Sequence, residues 1–201
     1  MLTGQPDIER TKRKNIVEMA LDFTGMIRVF SRGSKTPIKA KLEEFFSRLA
    51  KINTQDDYEI CHRAFCDWFT REIQTAEKRL KNGKVRPSQP SSYGHAAKVL
   101  DVATKVYVYY CTQPSAQVAQ RIVPFLHGAI DVLIMGDLRN SKHATTRIRA
   151  TSIQEVDRIA YQALQSVVSA KARERKMHPV QLEDILFRKL NRKDPPNESC
   201  S

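Results

Sequence analysis

The stretch from Tyr93 to Cys111 is apolar nearly all the way round a helical wheel, and only Lys98, Asp101 and Lys105 break it, at helical spacing. A helix with so little polar surface must be enclosed by others. The chain is therefore read as a set of helices packed around this segment, with Ser92 as its cap. Val106–Tyr110 is β-branched and aromatic and in isolation reads as strand, but the turns before it set a helix and the segment is kept helical. Glycine is scarce, 7 in 201 residues, which argues against a many-turned β architecture.

Helical periodicity and capping residues divide the rest. The first helix is expected from about Pro6 to Phe30, ended by Ser31–Ser34. A second begins at Thr36-Pro37, read as cap and first turn, and runs to about Lys51. A third follows Thr54, whose partner Asp57 resembles a capping box, and continues through Ile73 and Leu80 to the stop Asn82-Gly83. Short helices follow Pro114-Ser115 and span about Ala129 to Arg139. Ser152 with Glu155 is read as the capping box of a long helix ending near Lys176, and a last helix covers about Pro179 to Asn191. The expectation is an all-α fold of about seven or eight helices in one domain, residues 1–193. It can be drawn as lobes 1–82 and 93–193 joined by the Pro- and Ser-rich linker 83–92, with a disordered tail at 194–201.

Charge narrows the partners. Lys and Arg number 34 against 22 Asp and Glu, a formal +12. Residues 1–92 carry 18 basic and 12 acidic residues and residues 93–201 carry 16 and 10, so each half is +6. The excess therefore belongs to the body of the protein and not to an arm. Such a surface attracts polyanions, and DNA or RNA is the expected partner. Met1–Lys14 is polar and charged, and no apolar run approaches a bilayer span. The reading is a cytoplasmic chain with reduced Cys61, Cys66, Cys111 and Cys200, no membrane association and an open oligomeric state.

The strongest anionic-ligand candidate is the acid-free loop holding Arg139, Lys142, His143, Arg147 and Arg149, whose charges and hydroxyl neighbours suit phosphate oxygens. Lys98 and Lys105 are added as nucleic-acid contacts if their stripe lines a cleft. The alternative is a solvated stripe in which Asp101 pairs with both lysines. His127 and Asp131, flanking Gly128 at the start of an apolar helix, are the candidate catalytic pair, although Asp131 also suits a helix cap. Cys61-His62 and Cys66 do not converge on one face of a helix, so no metal and no cofactor is expected. The leading function is nucleic-acid binding through a composite basic surface. The rivals are a nucleic-acid-processing enzyme centred on Asp131 and His127, and a module that binds an acidic protein.

Ile130-Asp131 through Leu138-Arg139 resembles the segment of helix-hairpin-helix DNA glycosylases in which the catalytic Asp opens a helix. Tyr93-Gly94-His95 through Lys98 resembles the helix start upstream of it. The resemblance covers about residues 93–139, and it implies that Asp131 stabilises an oxocarbenium ion at a flipped nucleotide. The family's Leu-Pro-Gly-Val-Gly hairpin and the Asp-Thr-His continuation are missing. Arg121 with His127 is similar to the Arg–His pair of HEPN-type helical ribonucleases, in which His is the acid–base group and Arg stabilises charge.

Overall fold

A computed structural model describes residues 7–79 and 83–191. Within them the fold is all-α: α1 (Ile8–Phe23), α2 (Lys35–Arg48), α3 (Gln55–Glu72), α4 (Tyr93–Thr104), α5 (Ala116–Ile122), α6 (Val132–Arg139), α7 (Arg158–Glu174) and α8 (Pro179–Asn191). The only sheet among the described residues is a two-stranded antiparallel ladder, β1 (Lys78–Arg79) with β2 (Val85–Arg86). No described helix is long and apolar enough to cross a membrane.

The apolar segment is central. α4 packs against α1, α2, α3 and α7, and its last turns, 105–110, widen into a π-helix. Tyr107 there stacks flat on Phe46 of α2, ring centroids 4.1 Å apart. The capping box that starts α4 joins Ser92 and His95. One hydrophobic cluster includes Leu21, Leu42 and Phe65 from before residues 83–92 and Leu100, Ile134, Leu164 and Leu186 from after them.

Several boundaries differ from the sequence reading, each for a visible reason. α1 stops at Phe23, not Phe30, because Gly25 takes a left-handed φ of +63°. The Thr24 hydroxyl bonds the Leu21 carbonyl at 2.7 Å and the Met26 amide at 3.1 Å. α2 starts one residue before the expected cap Thr36, at Lys35, with no side-chain cap on Ser34.

α3 opens on the expected Thr54–Asp57 capping box but ends at Glu72. Residues 73–76 are extended instead: Ile73 and Thr75 bond Ser91 and Gln89 on one side, and Gln74 and Ala76 bond Ser31 and Val29 on the other. Backbone partners on both flanks outcompete a modest helical propensity. The expected stop at Asn82 lies outside the described residues. The same bonds tie residues 89–91 into the body, so this part of the expected linker is packed.

Ser152 does not cap the long helix: it precedes a single 3-10 turn, Ile153–Glu155, without a side-chain cap bond. The Glu155 carboxylate takes the Thr151 amide and hydroxyl, at 2.7 and 2.9 Å, and α7 begins after Asp157, which bonds the Ala160 amide at 2.7 Å. The displaced segment is held against the start of α4: the Ser92 hydroxyl donates to the Ile153 carbonyl, and the Gly94 amide to the Val156 carbonyl. α8 lies where the sequence placed it, and the expected tail 194–201 falls outside the described residues.

Candidate functional site

Four separate segments bring polar side chains to one buried point. α3 turns a face of Tyr58, His62, Phe65, Cys66 and Phe69 into the core, so His62 and Cys66, one turn apart, share a face contrary to the sequence reading, with the sulfur 3.7 Å from His62 Nδ1. Asp101 comes from the middle of α4 and is 1% exposed. His127 stands between the Pro124 break and α6. Its neighbour Gly128 is gripped by Gln165 of α7, which takes the Gly128 amide at 3.2 Å and donates to its carbonyl at 2.7 Å. A Cβ at Gly128 would meet Glu183 and Val168 at 3.1 Å, so the close approach suits glycine. Tyr161 comes from the first turn of α7.

These groups form a continuous network. His62 Nε2 donates to Asp101 Oδ1 at 2.9 Å, and the Tyr161 hydroxyl donates to Asp101 Oδ2 at 2.7 Å. The Tyr161 oxygen also lies 2.8 Å from His127 Nδ1 and 3.2 Å from His62 Nε2. The far side of the His127 ring, Nε2, donates to Glu59 at 2.7 Å. Burial works against ionisation of Glu59, but the His127 hydrogen bond and charge and the Gln55 amide outweigh it and hold the carboxyl at about 2. Burial, followed by the charge of Asp101, pushes the Tyr161 phenol well above its ordinary range. Donor atoms of His62, Asp101 and His127 all lie within 4.8 Å of one another, a grouping that can hold a metal ion.

The network is not sealed. Glu59, Tyr93, His127 and Tyr161 line a cavity of about 570 Å³, with Arg63 and Arg173 on its walls. Arg173 leads to a second feature. At the end of α7, Glu174 accepts from Lys142 at 2.6 Å and from His143 at 2.8 Å. These bonds, that of Lys142 first, hold its carboxyl down at about 2. Nearby, Lys171 donates to Asp137 at 2.6 Å. The basic loop and the basic end of α7 are thereby joined. Arg139, Lys142, Arg147 and Arg149 come from one, and Lys171, Arg173, Arg175 and Lys176 from the other, against Asp137 and Glu174. Arg147 and Arg149 are exposed and neither pairs with an acid among the described residues. Arg139 is exposed and donates to the Ala150 carbonyl at 3.3 Å.

Other expected site residues are placed differently. The stripe Lys98, Asp101, Lys105 is neither solvated nor internally paired. Lys105, expected to contact nucleic acid, is 4% exposed. Its ammonium is 2.7 Å from Glu183 and 3.8 Å from Asp184, and the rings of Tyr110 and Phe187 flank it. A lysine so enclosed cannot reach a phosphate. Lys98 is half-buried, and burial pulls its ammonium pKa down. Asp131 caps α6, its Oδ1 taking the Ile134 amide at 2.8 Å, and no hydrogen bond or ion pair joins it to His127. Arg121 donates to the Ala50 carbonyl at 2.9 Å and makes no bond to His127.

His62, Asp101, Tyr161 and Glu59 were missed as site residues. The one available signal was a carboxylate and a histidine at inward positions of apolar helical faces. No family model, curated protein or solved structure matches this chain.

Proposed function

We propose that the protein binds nucleic acid, with the 139–149 loop and the end of α7 as its phosphate-contacting surface. The observation that carries the reading is the pair of hydrogen bonds that the Glu174 carboxylate accepts from Lys142 and His143, which joins two basic segments far apart in sequence. Eight lysines and arginines stand there against two acids, and Arg147 and Arg149 have no acidic partner to surrender. Cations so placed displace condensed counterions when they meet a phosphate backbone, which makes affinity steeply salt-dependent.

Fluorescence anisotropy of labelled single- and double-stranded DNA and RNA over a salt series tests this. The double variant Arg147→Ala/Arg149→Ala is expected to bind about tenfold or more weakly, with a log–log salt slope shallower by about one for each phosphate no longer neutralised. An unchanged affinity and slope removes the loop from the account.

A second reading is favoured by Arg173, which belongs both to the basic surface and to the wall of the cavity above His127. In this reading the bound strand is also processed, at the cavity floor. Denaturing gels of the bound strands, with and without divalent metal, are expected to show products that His127→Ala abolishes while binding persists. Intact strands under every condition leave the binding reading alone.

A further inference from the structure

We propose that His62, Asp101 and His127 form a binding site for one divalent transition-metal ion, taken up through the cavity that His127 and Tyr161 line. The site stands on its own geometry and does not depend on the nucleic-acid reading.

Asp101 is 1% exposed, and no lysine or arginine among the described residues pairs with it. Lys105, one turn along the same helix, is committed to Glu183. A buried carboxylate without a fixed cation is costly, and a metal ion is a direct way to neutralise it.

Each donor is oriented by a neighbour. Tyr161 holds Asp101 Oδ2 and so leaves Oδ1 for the ion. Oδ1 is 2.9 Å from His62 Nε2 and 4.0 Å from His127 Nδ1. Bonds of roughly 2.1 Å to one ion place donors about 3 to 3.5 Å apart, so His127 closes by roughly an ångström or less. With its Nε2–H on Glu59, His127 turns Nδ1 toward the cluster, and binding of the ion displaces the proton that Nδ1 shares with the Tyr161 oxygen 2.8 Å away. A carboxylate behind a ligating imidazole is the usual outer support of such a site. His62 frees Nε2 by moving its proton to Nδ1, which faces the Cys66 sulfur at 3.7 Å.

His62 and Asp101 are held in the core by α3 and α4, and the cavity of about 570 Å³ reaches the cluster from the side of His127 and Tyr161; the Tyr161 hydroxyl, 2.7 to 3.2 Å from an atom of each of the three residues, stands on that side as a fourth oxygen. Two imidazoles and one carboxylate favour zinc, iron(II), cobalt(II) or manganese(II) over calcium or magnesium.

The experiment uses the full chain, stripped with a chelator, dialysed and titrated with Co²⁺. The expected result is uptake of one equivalent with visible d–d absorption, which Zn²⁺ then bleaches. His127→Ala is expected to lose the absorption while far-UV circular dichroism stays unchanged. Should that variant not fold, Glu59→Gln replaces it, with an expected affinity loss of about 10- to 100-fold. A wild-type protein that gives no Co²⁺ spectrum overturns the site. So does a folded His127→Ala that keeps the spectrum, or a Glu59→Gln that binds as tightly as wild type.

Discussion

Lys105→Met is expected to cost about 3 to 5 kcal/mol at pH 8, because it strands the Glu183 carboxylate in the core without its ammonium partner. Glu183 is 2% exposed and Lys105 4%. The double variant Lys105→Met/Glu183→Met replaces the pair with apolar volume and is expected to recover most of that loss, since a buried pair gains little over a packed hydrophobic substitute. Burial pushes the Glu183 carboxyl up from 4.5 to about 7 against the pull of Lys105. The folded state therefore holds a proton that the unfolded chain releases between those values.

That contribution to stability is fully present below pH 4.5 and is lost as pH rises through about 7. It amounts to on the order of 3 kcal/mol. Urea denaturation of the wild type at pH 5 and pH 8 should show this fall, and Glu183→Gln should flatten it. The cost of Lys105→Met should also be smaller at pH 5, where Glu183 can neutralise itself. A wild-type stability that rises between pH 5 and 8 with no effect of Glu183→Gln contradicts the assignment.

Gly94→Ala is the second large effect. A Cβ there would lie 2.5 Å from the Ile153 carbonyl oxygen and 2.6 Å from Val156 Cβ. The nearer atom is backbone, so no rotamer change relieves the clash. The start of α4 must part from residues 152–156, which breaks the bonds of Gly94 to Val156 and of Ser92 to Ile153, at 2.9 and 2.8 Å. Overpacking together with two broken hydrogen bonds predicts about 3 to 4 kcal/mol of destabilisation. Gly136→Ala provides the contrast. Gly136 lies inside α6 with nothing within 4 Å of the added Cβ, so alanine there should stabilise by roughly 0.5 to 1 kcal/mol. Chemical denaturation of both variants reads the difference, and equal effects would refute the packing argument.

The loop of Arg139 to Arg149 stands out in the sequence because local composition reports local charge. Its partnership with α7 runs through Glu174, more than thirty residues from Lys142, and no periodicity carries that information. The cluster of His62, Asp101, His127 and Tyr161 was hidden for the same reason. Each member looks, in its own segment, like a stray polar residue on an apolar face. Asp101 in particular reads locally as a partner for Lys98 and Lys105 at helical spacing.

The sequence by itself determined the helical class, the central place of Tyr93–Cys111, the caps at Thr54 and Ser92, and the span of α8, and left Asp131 open between a cap and a catalytic group. Those follow from side-chain periodicity and from hydrogen bonds that close within four residues. The tertiary structure decided what such short-range rules do not reach. It ended α3 at Glu72 by giving residues 73–76 backbone partners on two sides. It moved the start of α7 past Ser152 by holding residues 152–156 against Gly94. It drew Asp101 and Lys105 into the core toward different partners, because α3, α7 and α8 close over the face that they share.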